Sequence, residues 1–98
     1  MNHTPAEERL LALLESQHQF PCAFPIKILF KSADGRAARV VADIAATTGV
    51  RVAGVPTERA SSKGKYTAVT AALQVGAPEQ IIEVYRHLAT VEEIVGYF

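Results

Sequence analysis

The chain carries one cysteine, Cys22. A single cysteine excludes an internal disulfide and every CxxC metal or redox motif. It suits a reducing compartment, and with no activating motif beside it Cys22 reads as a small, half-buried apolar residue. Neither sign of charge is in excess, since ten Lys and Arg offset ten Asp and Glu. That argues against non-specific attraction to nucleic acid or an anionic membrane, while leaving a local basic patch open. Long apolar runs are missing too: none approaches the roughly 18 residues of a membrane span. Glu7 and Glu8 stand where a secretory leader would begin with basic residues. These absences predict a soluble, cytoplasmic protein that does not meet a membrane.

Catalytic groupings are equally scarce. His3, His18 and His87 lack metal-ligand spacing. Glu7-Glu8 and Glu92-Glu93 read as solvated charges rather than an acid/base pair. No Ser/His/Asp or Cys/His set stands at a recognisable spacing. The reading is therefore non-enzymatic, with no catalytic residue, no metal and no cofactor. There is no internal repeat and no low-complexity tract.

What is present is a strong alternation of periods. At 98 residues the chain suffices for one core without metal or disulfide support. Thr4-Pro5-Ala6-Glu7 has the form of a capping box, and Leu10, Leu14 and one of Leu11 or Leu13 form a short stripe behind it. The spacing predicts a helix over about residues 4–18, in an N-terminal extension of residues 1–19. Phe20 to Pro25 reads as a stiff extended connector, followed by a strand over Ile26–Phe30. Ser32 or Asp34 is expected to cap the next helix, whose stripe is Ala37, Val40, Val41, Ile44 and Ala45 and whose stop is Gly49.

Val50 to Val75 reads as a hairpin about the turn Ser61-Ser62-Lys63-Gly64-Lys65. Val69, Ala71, Leu73 and Val75 fall on its core face by the period of two. Pro56 places the first hairpin strand at a sheet edge or a bulge. Pro78 and Glu79 open the last helix, with Ile81, Ile82, Tyr85, Leu88 and Ala89 as its stripe. A final strand is expected over Val91–Phe98.

The resulting order over residues 20–98 is strand, helix, strand, strand, helix, strand. It predicts an α+β, ferredoxin-like βαββαβ domain: a four-stranded antiparallel sheet with two helices on one face. The second face, with Lys27, Leu29 and Lys31 on one central strand and Tyr66, Ala68, Thr70 and Ala72 on the other, stays open unless the N-terminal helix or a second subunit covers it. Its one aromatic, Tyr66, is too few for the base-stacking of an RNA-recognition module, so nucleic acid is not expected.

Ser61, Ser62, Lys63, Gly64, Lys65 and Tyr66 are the candidate ligand-binding residues. Hydroxyls and ammonium groups beside a glycine suit an anion. The same residues also suit a plain solvated turn.

Phe20-Pro21-Cys22-Ala23-Phe24-Pro25-Ile26-Lys27 and Ser61-Ser62-Lys63-Gly64-Lys65-Tyr66-Thr67-Ala68-Val69-Thr70 carry a resemblance. With Glu79-Gln80, Tyr85 and Leu88, they make the chain similar to the YbeD family of small bacterial proteins over about residues 20–98. It departs from that pattern in its N-terminal helix and in the polar, glycine-containing C-terminal strand. The resemblance implies a fold like that of ACT regulatory domains, which bind small effectors and pair through their sheets or edges. The expectation it supports is a regulatory, ligand-sensing module acting as a homodimer. The alternative is an adaptor that docks on a partner enzyme and binds no small molecule.

Overall fold

The structure, a computed structural model, describes residues 3–98. Its elements are α1 (Pro5–Gln17), β1 (Cys22–Lys31), α2 (Arg36–Thr48), β2 (Arg51–Ala60), β3 (Tyr66–Val75), α3 (Pro78–Ala89) and β4 (Ile94–Tyr97). The strands form one antiparallel sheet in the order β2-β3-β1-β4. The two strands with the most regular alternation, β1 and β3, are therefore central. Ile26, Ile28 and Phe30 of β1 and Val69, Ala71, Leu73 and Val75 of β3 are buried, as their period of two requires. Ala37, Val40 and Ile44 of α2 and Ile81, Val84 and Leu88 of α3 complete the core.

Several local expectations are corrected. β1 begins at Cys22 rather than Ile26, because the extended Phe-Pro connector itself pairs, from Cys22 opposite Val75 to Pro25 opposite Ala72. The described pairing of β4 with β1 spans only Ile28 to Phe30, with Phe98 bonded to Lys27 beyond it. At Pro25 the strand thus has one neighbour, and a proline is tolerated there. β4 starts at Ile94 instead of Val91, since bonds from Thr90 N to His87 O and from Val91 N to Leu88 O make a turn that closes α3 first.

Neither Ser32 nor Asp34 caps α2. Gly35 stands at the N-cap position with no side-chain bond, and the Ser32 hydroxyl meets Thr67 Oγ1 at 2.7 Å instead. A capping side chain reaches only two or three residues forward, and Ser32 lies too far from the first turn. Ala45 and Ala89 are exposed, while Val84, outside the expected stripe, is fully buried. The buried stripe of α3 thus runs through Ile81, Ile82, Val84 and Leu88, with Tyr85 half-buried at its edge.

α1 opens on the expected reciprocal cap: Glu7 N donates to Thr4 Oγ1 at 3.1 Å, and Thr4 N donates to the Glu7 carboxylate at 2.9 Å. Its apolar side meets α3, not the outer sheet face. Leu14 is buried in the common core, Leu10 packs against it, and Leu13 stays half exposed. Arg86 of α3 holds the Glu7 carboxylate with two bonds of 2.7 Å each. Among the described residues no helix is long and apolar enough to cross a membrane.

Candidate interaction face

The turn singled out by sequence is closed mainly by its own backbone. Gly64 N donates to Ser61 O, Ser61 N to Tyr66 O, and Tyr66 N to the Ser61 hydroxyl. Gly64 has φ +69°, the left-handed conformation that glycine adopts without penalty. Ser61 is thus engaged in shaping the turn. Ser62, Lys63 and Lys65 are exposed, and Lys65 Nζ sits 5.8 Å from the centre of the Tyr66 ring. The six residues lie together at one end of the sheet, but Ser61 and Gly64 serve geometry while the two lysines supply charge.

The outward positions of the sheet extend this charge. On β1 they are Ala23, Pro25, Lys27, Leu29 and Lys31, and on β3 they are Gln74, Ala72, Thr70, Ala68 and Tyr66. The register to β3 adds Arg51, Ala53, Thr57 and Arg59 from β2. Phe98 joins them at the opposite edge: it exchanges backbone bonds of 2.7 and 2.9 Å with Lys27, and its ring lies 5.9 Å from Lys27 Nζ. All of these positions are exposed or half-buried. They hold four cations, and among the described residues none of them is Asp or Glu.

The register orders the cations into two lanes. Arg51 and Arg59 run along β2, Lys27 and Lys31 along β1, and the β3 lane between them is uncharged. Acidic residues concentrate instead on the helices, at Glu7, Glu8, Glu15, Asp43, Glu79 and Glu83. A formal net charge of zero thus conceals a two-sided distribution.

Sequence reasoning had found Lys27, Lys31 and Tyr66 but not Arg51, Arg59 or Phe98. The signal for the arginines was present. β2 places Ala53 and Thr57 opposite the adjacent outward residues Ala72 and Thr70, so its register shift adds an even number of residues and preserves the phase. Gly54, with φ +66°, and Pro56 mark that bulge, and Val55 at its crest is 89% exposed. Phe98 was not legible, because a second register shift between Leu29 and Phe30 breaks the alternation leading to it.

Two open depressions lie away from this face. One, of about 330 Å³, separates α2 from β2 and is lined by Ala37, Ala38, Val41, Pro56, Val69 and Glu58. The other, of about 300 Å³, lies where α1, α3 and β4 meet, with Leu10, Tyr85 and Tyr97 in its wall. There the guanidinium of Arg86, with the Thr4 amide, holds the Glu7 carboxyl at about 2, below its ordinary 4.5. Burial, with the nearby Tyr97, pushes the Tyr85 hydroxyl up. Among the described residues no group of His, Cys, Asp and Glu is placed to hold a metal ion.

Comparison with known proteins agrees with the resemblance. The model of a family described as "Protein of unknown function (DUF493)" matches residues 15–97. A "UPF0250 protein" of Shewanella loihica is 40% identical over 77 residues, covering 76% of this chain and 83% of the relative. Another from Shewanella woodyi is 36% identical over 78 residues, covering 78% and 84%. The solution structure of protein HP0495 from H. pylori superposes with a TM-score of 0.65 at 12% identity, covering 100% of this chain and 98% of that one. At that identity the likeness concerns the fold alone.

Proposed function

Since the chain belongs to the DUF493 family of proteins of unknown function, its action has to be read from its surface, and we propose that it is a non-enzymatic interaction module that docks on a partner protein. In this reading the fold is ferredoxin-like, with α2 and α3 on one side of the sheet and α1 as an added layer on α3. The observation that carries the reading is the outward sheet face, whose positions are exposed or half-buried, small along the centre and cationic on both sides. Every described buried residue of the core is apolar. The turn from Ser61 to Tyr66 contributes as the charged end of the docking face.

Native mass spectrometry of the protein recovered from cell extract tests the reading. The wild type is expected to retain a stoichiometric protein partner, and the Lys27→Glu/Arg59→Glu variant to lose it with an unchanged thermal midpoint. A partner held equally by both would overturn the assignment to this face. A second reading, the sensing of a small effector, is favoured by the apolar depression between α2 and β2. A retained small molecule in the same spectrum, lost on Ala38→Leu substitution, would establish it instead.

A further inference from the structure

The arrangement of the sheet face points to the kind of partner. We infer that the face receives one amphipathic helix of a partner protein, laid along β3 with small or apolar residues facing the sheet and acidic residues on both flanks. This rests on the docking reading above and specifies its occupant.

The dimensions carry the inference first. Strands lie about 4.8 Å apart, so the β1 and β2 cation lanes stand about 10 Å from each other with β3 between them. That spacing matches the diameter of one helix with its side chains, about 10–12 Å. Along β3 the outward residues run from Gln74 to Tyr66, about 26 Å at about 3.3 Å per residue. A helix of about 18 residues spans the same length. The floor beneath it consists of Ala72, Thr70 and Ala68, flanked by Ala53, Pro25 and Leu29. The Ala and Thr side chains of β3 let a helix approach closely, and none of these residues carries a competing charge.

The electrostatics choose among occupants. Arg51 and Arg59 on one flank and Lys27 and Lys31 on the other call for carboxylates on both sides of the bound element. A second copy placed face to face would oppose cations to cations. A second copy placed sheet to helix would be heterologous and open-ended. RNA would satisfy the charges but not the centre. Its unstacked bases need aromatic platforms on the central strands, where the outward positions offer Tyr66 as the one aromatic among Ala, Thr, Gln, Pro, Leu and Lys.

The test uses the full chain, labelled for amide resonances, with three probes: a cross-linked helical peptide of about 18 residues with an Ala/Leu face and Glu flanks, the same peptide with Lys flanks, and oligouridine. The Glu peptide is expected to shift the amides of Ala68, Thr70 and Ala72, with affinity falling roughly tenfold or more between low and high salt. The Lys27→Glu/Arg59→Glu variant, its folding confirmed by an unchanged melt, should prefer the Lys peptide. Equal shifts from both peptides would overturn the acidic partner while leaving a docking face. No shift from either would overturn both. Tighter binding of oligouridine, or a concentration-dependent dimer or polymer that protects these amides, would assign the face to RNA or to a second copy instead.

Discussion

Removal of residues 1–18 is the perturbation whose outcome follows most directly from the packing. α1 supplies one buried side chain to the described core, Leu14 at 5% exposure, and two half-buried ones, Leu10 and Leu11. Burying Leu14 contributes about 1.5–3 kcal/mol, and the two partial burials together about as much again. The truncation is thus expected to cost at most about 3–6 kcal/mol, less the chain entropy that a released helix no longer gives up. Domains of this size hold about 5–15 kcal/mol in total. The remaining core, from Phe24 to Leu88, is untouched, so folding should survive.

For a net loss of about 2–4 kcal/mol the thermal midpoint falls by about 8–32 °C, at about 4–8 °C per kcal/mol. A melt followed by circular dichroism should stay cooperative. Binding of a hydrophobic dye should rise as Ile82, Tyr85 and Tyr97 are uncovered. Leu14→Ala in the full chain should cost no more than the truncation, because the protein can always let α1 go. An unfolded truncation would refute the reasoning by making α1 integral to the core. An unchanged midpoint with unchanged dye binding would refute it from the other side.

Acid should release α1 before the core. The Glu7 carboxyl sits at about 2 in the folded protein against 4.5 as its ordinary value, a depressed pKa, so its contribution is complete above about 4.5 and disappears as pH falls from there toward 2. Tyrosine fluorescence should track the release, and an acid titration of Glu7→Gln indistinguishable from wild type would contradict the link. In the hairpin, Gly64→Val should lower the melting midpoint because a β-branched residue resists positive φ. Lys63→Gln/Lys65→Gln should change stability by less than about 1 kcal/mol, and equal losses in the two would count against the division of labour within the turn. Ile28→Ala, at a fully buried centre of β1, should cost about 2–5 kcal/mol by chemical denaturation. A loss below about 1 kcal/mol there would mean that the site collapses around the smaller side chain.

The parts of the fold legible in sequence were those set by period and by punctuation. Ile26-Ile28-Phe30 and Val69-Ala71-Leu73-Val75 announced two central strands by alternation alone, and Thr4, Gly49 and Pro78 fixed three helix ends. What failed was decided by tertiary partners. Cys22 to Pro25 became strand because β3 extends far enough to pair with it. Gln80 caps α3 by accepting from the amides of Gly76 and Ala77, a role hidden by a side chain with no strong positional signature. The serine-lysine turn drew attention through its composition, yet Ser61 and Gly64 close the hairpin. The cationic sheet face was only partly visible, because β2 had to be registered against β3 before its arginines could be placed.

The bulge at Gly54–Pro56 also bears on how the molecule behaves when concentrated. β2 lies at the margin of the sheet, where an unbroken ten-residue strand would offer its free amides and carbonyls to any extended chain. The bulge divides its regular pairing into Arg51–Ala53 and Thr57–Ala60. A foreign strand finds only these two short stretches, separated by a backbone that turns away and by a proline. Such a margin is a poor template for fibre growth. At this margin, therefore, concentrated protein should not recruit further strands, even with Val55 standing bare at the crest.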